Sequence, residues 1–250
     1  MNFSAFTDES LLGRLVRAPL HLIPQRSWVY ILQGPLRGMK WIVGSSNHGC
    51  WLGSYEYRKQ RLFAQVLHEG DIVFDVGAHA GFYTLLASSR VGWRGRVFAF
   101  EPFRPNLYFL KEHLRLNGAS NVTVVEAAVS ETSGVVRFAE GRNTSTAHIA
   151  ADGKLQVETV SLDEVFVTQR LSSVAVIKID VEGAEALVLR GARRLLASQH
   201  PLIFLATHGA TVHRECCEIL LELGYSLKPV DREPVWSSEE VLATCHGLGK

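Results

Sequence analysis

The residues best equipped for chemistry stand at the ends of short apolar runs. Val73-Phe74-Asp75-Val76-Gly77-Ala78-His79-Ala80-Gly81-Phe82-Tyr83-Thr84 reads as a strand that closes on an acid, turns through glycine and opens a helix. Gly77 can take backbone angles closed to other residues, and Gly81 would let a ligand approach the helix N-terminus. An ordinary tight turn between strand and helix is the competing reading. His79 occupies the place of the middle glycine in a GxGxxG fingerprint, so a pyrophosphate has no close backbone path and a dinucleotide is disfavoured.

The next run, Val97-Phe98-Ala99-Phe100-Glu101-Pro102, ends in a carboxylate 24 positions beyond Gly77 (101 − 77). A carboxylate so placed accepts hydrogen bonds from both hydroxyls of a ribose, with Pro102 and Asn106 turning the chain into the following helix. In Val124-Val125-Glu126-Ala127-Ala128-Val129, small Ala127 and Ala128 at a strand end leave room for a flat base, although such pairs also serve as plain core packing. Ribose and base without phosphate describe S-adenosylmethionine, whose ammonium group suits Asp75. The most heavily charged stretch is Ile177-Lys178-Ile179-Asp180-Val181-Glu182-Gly183-Ala184-Glu185, with three carboxylates and a lysine. Strand alternation puts Lys178 and Asp180 on one face, at the end where open α/β sheets present their ligands. Salt-bridged scaffolding is the alternative.

These motifs need elements to position them. From Asp71 onward, β-branched runs alternate with amphipathic stretches, the rhythm of βαβ units around a parallel sheet. Strands are expected at 72–76, 96–101, 122–126, 174–180 and 202–207, apolar enough to be covered on both faces. Gly134–Ala139 and Leu155–Val160 alternate instead like an inserted antiparallel hairpin around a polar loop. Residues 1–70, with Pro19, Pro24, Pro35, Trp28, Tyr30, Trp41 and Trp51, read as an N-terminal cap; 71–236 form the catalytic domain; 237–250 read as a tail, a short helix or frayed. The fold class is α/β, a doubly wound, mostly parallel, Rossmann-like sheet with that cap and that hairpin.

The 250 residues suit one buried core and not two full domains. Lys plus Arg number 26 against 25 acids, so there is no broad positive field and nucleic acid is not expected as a partner. Cys50, Cys216, Cys217 and Cys245 lack CxxC spacing, and Cys216 and Cys217 adjoin within a helical stretch, which suits reduced thiols and a cytoplasmic protein. Arg14, Arg17, Pro19 and His21 interrupt the apolar run from Leu11 to Ile23, so neither a membrane span nor a signal segment is expected.

With VFDVGAHAGFYTL, FEPFRPN, Leu162-Asp163 and IKIDVEGAE in this order, the chain resembles the FkbM family of methyltransferases, over roughly Tyr55 to His208. The resemblance implies a class I methyltransferase fold, S-adenosylmethionine as donor, and hydroxyl acceptors on sugars, polyketides or other secondary metabolites, with carboxyl acceptors as a variant. It sets Asp75, Gly77 and Gly81 around the methionine moiety, with Ala78, His79, Phe82 and Thr84 in the same turn. It sets Glu101 on the ribose and Asp180 at the methyl-transfer region, and it matches Tyr55 and Glu56 to a Tyr-Glu step. Where the family carries an acid before its histidine region, this chain has Ala206, so Glu182, Glu185 or His208 is left to supply any such role.

The sulfonium already activates the methyl group, so the protein's task is to align the acceptor and exclude water. An alcohol must still lose a proton. His208, at the end of the last parallel strand with an ordinary pKa near ~6.5, is the first candidate base, beside Asp180 and Glu182. A histidine capping the helix from Thr211 is the structural alternative, and His79 and His148 are weaker bases. No metal site is expected, because Asp180, Glu182 and His208 have no local ligand spacing and could meet only through the fold. Other function classes are a nicotinamide-dependent oxidoreductase, opposed by His79 in the glycine position, and a non-catalytic subunit that only binds S-adenosylmethionine.

Overall fold

The computed structural model describes residues 23–139, 148–149, 153–230 and 234–245. Five apolar runs form the parallel part of a seven-stranded sheet: β3 (Ile72–Val76), β4 (Arg96–Phe100), β5 (Val122–Val125), β10 (Val176–Ile179) and β11 (Leu202–Ala206). The side chains of β3, β4, β10 and β11 are buried on both faces, with helices supplying the cover, whereas β5 at the sheet edge is only partly covered. Two antiparallel strands, β12 (Tyr225–Pro229) and β13 (Glu240–Cys245), complete the sheet in the order β12-β13-β11-β10-β3-β4-β5. From β3 the chain winds outward to β4 and β5, then returns to β10 on the other side. The crevice between the ends of β3 and β10 is therefore the switch point of the sheet, where a ligand finds room.

Helix α3 (Phe82–Val91) follows β3, α4 (Arg104–Asn117) follows β4, α5 (Leu162–Thr168) precedes β10, and α6 (Glu185–Arg190) and α7 (Arg193–Gln199) follow it. Helix α8 (Ala210–Glu222) connects β11 to β12. Ser161 caps α5 by accepting a hydrogen bond from the Glu164 N–H at 3.2 Å.

One reading of the sequence changes here. Residues 240–245 are neither helix nor frayed end: as β13 they run antiparallel to both β11 and β12 and are set between them. This strand alternates in exposure and is only six residues long, so it lacks the continuous apolar run that betrayed the other inner strands. The N-terminal segment, read as a cap, packs directly on the main sheet's helices and strands. Its strands β1 (Trp28–Tyr30) and β2 (Lys40–Ile42) pair with each other, α1 (His48–Leu52) and α2 (Tyr57–Val66) follow, and Ile31, Leu36, Trp41, Cys50 and Phe63 share one apolar core with Val73, Leu85 and Val97.

His113 of α4 ties that segment to the glycine turn. Its Nε2 accepts from the Ile42 N–H at 2.8 Å, its Nδ1–H donates to the Ala80 carbonyl at 2.7 Å, and Trp41 stacks on the ring with centroids 3.9 Å apart. Burial pulls the His113 pKa down to about 4, so the ring is neutral at physiological pH.

The expected hairpin is present: β7 (Gly134–Ala139) runs antiparallel to β9 (Leu155–Val160), within a smaller sheet completed by β6 (Ala128–Val129) and β8 (His148–Ile149). Most of the polar loop between them lies outside the described residues, as does the His148 side chain.

Candidate active site

A cavity opens at the switch point, and most of the cofactor candidates line it: Tyr55, Gly77, Ala78, His79, Phe82, Glu101, Pro102, Asn106, Ala127, Ala128 and Asp180, together with Glu182. The glycine turn is folded onto the sheet end by its own backbone. The Gly77 and Ala78 N–H groups both donate to the Phe100 carbonyl, at 3.1 and 3.0 Å. Gly77 has φ +78°, and a Cβ there would lie 1.8 Å from the Asp180 carbonyl oxygen, so only glycine lets β3 and β10 close up at this point.

Glu101 is almost wholly buried and holds the turn from beneath. One oxygen accepts from the His79 N–H at 2.8 Å; the other accepts from the Phe103 N–H at 2.9 Å and from the Asn106 amide at 3.3 Å. Burial raises its pKa, and those three hydrogen bonds oppose the rise. The sequence reading gave Glu101 a ligand role alone; the structure adds that the same carboxylate organises the loop. His79, with φ +50°, is pushed to a pKa of about 4 by burial and by the Lys178 charge, so it stands neutral.

Four candidates sit elsewhere than expected. Asp75 is fully buried beneath the cavity: it accepts from the Thr84 hydroxyl at 2.6 Å and lies 3.6 Å from Lys178 Nζ, so Asp75 and Thr84 support the floor and do not face a ligand's ammonium group. Gly81 is not a wall of the cavity. Its φ is +92° and a Cβ there would meet Leu110 Cδ1 at 2.6 Å, so glycine is needed for a left-handed turn and for close packing on α4. Glu56 lies behind Tyr55 and Tyr83, where it accepts from the Tyr83 hydroxyl at 2.7 Å and pairs with Lys59 at 3.2 Å.

On the opposite wall, Lys178 donates to the Gly77 carbonyl at 2.9 Å and lies 3.5 Å from Asp180. Burial works against the Lys178 charge, but Asp180 and Asp75 outweigh it and hold its pKa above the ordinary lysine value. For Asp180 burial is likewise outweighed, by Lys178, Lys59 and His208, and its pKa is lowered. This carboxylate is ionised.

His208 stands beside the cavity and does not cap α8, whose N-cap is Gly209 with no side-chain cap bond. Its Nδ1 meets Glu185 Oε1 at 2.7 Å, while Nε2 faces Asp180 at 3.9 Å and Glu182 at 3.7 Å. The Glu185 hydrogen bond, opposed by burial and aided by the charges of Glu182, Glu185 and Asp180, lifts the imidazole pKa to about 9. His208 is therefore an imidazolium at neutral pH and not a free base with an ordinary pKa, a shift to which the buried Glu185 partner contributes most.

Three members of this wall escaped the sequence reading. Lys59 of α2 is buried between Glu56 and Glu240, at 3.2 and 2.7 Å. Glu240 of β13 pairs across the sheet with Ala206, the position where the FkbM resemblance leads one to expect an acid, so a neighbouring strand brings a carboxylate there. Tyr83 carries Lys59 and Lys178 against its ring, 5.5 and 5.6 Å from the centroid. Nothing local in the sequence marked Lys59, which stands between Arg58 and Gln60, or Glu240.

The family model described as "Methyltransferase FkbM domain" matches residues 75–227, more than half of the chain. A curated relative, the hexuronic acid methyltransferase AglP of Haloferax volcanii, is 26% identical over 164 residues, 65% of this chain and 66% of that protein. Among solved structures, a methyltransferase FkbM from Methylobacillus flagellatus is 20% identical with a TM-score of 0.52, covering 80% of this chain and 55% of its own. A putative O-methyltransferase from Klebsiella pneumoniae is 13% identical with a TM-score of 0.50, covering 78% and 81%. At these identities the two structures speak to the fold, which is that of class I methyltransferases. The chain belongs to the FkbM methyltransferase family, whose donor is S-adenosylmethionine. No helix among the described residues is long and apolar enough to cross a membrane.

Proposed function

We propose that this FkbM-family chain transfers the methyl group of S-adenosylmethionine to a hydroxyl oxygen of a sugar. One observation carries the reading: a single cavity is walled on one side by the 77–79 turn with Glu101, and on the other by the Asp180 and Glu182 carboxylates. The first wall has what a nucleoside needs, a buried carboxylate for ribose hydroxyls and small Ala127 and Ala128 beside space for a base. The second has two carboxylates able to meet an acceptor's hydroxyl, with Asp180 held ionised by Lys178, Lys59 and His208. The AglP relationship supports a sugar over a polyketide as the acceptor.

In this reading Gly77, Ala78, His79 and Glu101 would hold S-adenosylmethionine, which would supply the activated methyl group, while Phe82 and Tyr55, whose rings meet edge to face at 5.3 Å, would close off water. The acceptor's hydroxyl gives its proton toward the Asp180 and Glu182 carboxylates. Its oxygen then forms the new O–C bond as the methyl–sulfur bond breaks, with that electron pair remaining on sulfur. The products are a methyl ether and S-adenosylhomocysteine. His208, fixed by Glu185, supplies positive charge beside the oxygen on which negative charge develops.

The test is mass spectrometry of hexuronate-containing and neutral glycans incubated with the protein and methyl-labelled S-adenosylmethionine. A glycan gaining one labelled methyl group, resistant to mild base as an ether is, supports the reading. Label found only as a base-labile ester would move the acceptor atom to a carboxylate, and a cofactor that binds while no glycan gains label would remove sugars as the acceptor class.

A further inference from the structure

The sequence gives Asp180, Glu182 and His208 no ligand spacing, yet the fold turns one atom of each toward a common point. Their ligand atoms all lie within 4.8 Å of one another, with His208 Nε2 at 3.9 Å from Asp180 Oδ1 and 3.7 Å from Glu182 Oε2. These two separations are too long for hydrogen bonds. They fall inside the roughly 4.2 Å that two ligands can span across one ion lying about 2.1 Å from each.

A separate feature lies behind the three. Glu185, fully buried, accepts from the Gly183 N–H at 3.1 Å and holds His208 Nδ1 at 2.7 Å, which leaves Nε2 as the atom presented to the two carboxylates. A buried carboxylate on the far nitrogen is how metal-bound histidines are commonly oriented. Glu185 Oε2 is also buried with no hydrogen-bond partner.

We infer that Asp180, Glu182 and His208 bind one divalent cation of the Mg2+ or Mn2+ class at the acceptor side of the cavity. Two carboxylates and one imidazole, without a thiolate, form a predominantly hard donor set, and six-coordination leaves positions for water and for the acceptor's oxygens. Vicinal hydroxyls of a sugar could take two of those positions. Binding displaces the proton on Nε2 to solvent. The site's role in methyl transfer rests on the function proposed above; its occupancy does not.

Mn2+ alone is the probe. Titrated into the full chain and followed by the electron paramagnetic resonance of the free ion, it should occupy one site per chain at concentrations on the order of 1 mM or lower, with Mg2+ competing. Glu182→Gln and His208→Ala, both at partly exposed positions, should each weaken binding by about tenfold or more. Absence of binding to the unaltered chain overturns the inference, and so does binding that both variants retain unchanged. S-adenosylmethionine titrated into the same preparation separates the two readings: a chain that takes the cofactor but no Mn2+ loses the cation site alone, and one that takes Mn2+ but no cofactor loses the donor reading alone.

Discussion

The two walls of the cavity are assembled differently. On the donor side, Gly77, Ala78 and His79 come from one turn and Glu101 from the next strand end, tied together through the Phe100 carbonyl and the His79 N–H. On the side proposed for the acceptor, Asp180 and Glu182 line the cavity, and Lys59, Glu185, His208 and Glu240 stand behind or beside them, brought from α2, the start of α6, the β11 end and β13. The proposed donor wall is local in sequence. The proposed acceptor wall depends on the whole topology, as Glu240 of a neighbouring strand beside Ala206 shows.

The largest effect should come where the walls touch. Gly77→Ala puts a Cβ 1.8 Å from the Asp180 carbonyl at a left-handed φ, so it should cost about 3 kcal/mol or more of stability and abolish cofactor binding with it. Chemical denaturation measures the first and calorimetry the second. A stable variant with normal affinity would mean the walls are not coupled through this contact.

Glu101→Ala should weaken S-adenosylmethionine binding by about 10- to 100-fold, by removing a charged acceptor worth ~1.5–3 kcal/mol. Because it also strips partners from the His79 and Phe103 N–H groups, a fall in stability of about 1–3 kcal/mol should accompany it. Glu185→Gln should do the reverse of a donor-side change. The amide oxygen still accepts from Gly183 while the charge behind His208 is gone, so turnover should drop by roughly 10- to 100-fold with donor affinity unchanged. If Glu185→Gln weakened the cofactor as Glu101→Ala does, the division into two walls would fail.

The mildest effect concerns the tether between the N-terminal segment and the donor turn. The His113 pKa is lowered from 6.5 to about 4 in the folded chain, so between those values the unfolded chain binds a proton that the folded chain does not. Stability conferred by the neutral ring is complete above pH 6.5 and falls as pH drops toward 4. His79 is shifted in the same direction and adds to the slope. His113→Gln, which can still accept from Ile42 and donate to Ala80, should flatten part of that acid loss in a series of thermal melts.

The sequence disclosed these walls unequally for a physical reason. Strands buried on both faces announce themselves as unbroken apolar runs, so β3, β4, β10 and β11 were legible to within a residue or two, as were the half-covered edge strand β5 by its β-branched run and the β7–β9 hairpin by its alternation. The donor turn was legible because its residues are close in sequence. What stayed hidden is what only folding joins: β13 slipping between β11 and β12, Lys59 and Glu240 meeting at 2.7 Å, and Glu185 lifting His208 from an ordinary imidazole to one with a pKa of about 9. Asp75, which the sequence set toward a ligand, lies beneath the cavity bonded to Thr84, and spacing alone cannot tell these two placements apart.

Calorimetric titration of S-adenosylmethionine into the unaltered chain, Glu101→Ala and Glu185→Gln tests most directly whether the wall formed by the 77–79 turn and Glu101 is the donor site. One molecule bound per chain, with affinity reduced at least about tenfold in Glu101→Ala and unchanged in Glu185→Gln, is the expected result. An unaltered chain that binds no S-adenosylmethionine, or a folded Glu101→Ala variant that binds it equally well, would contradict it.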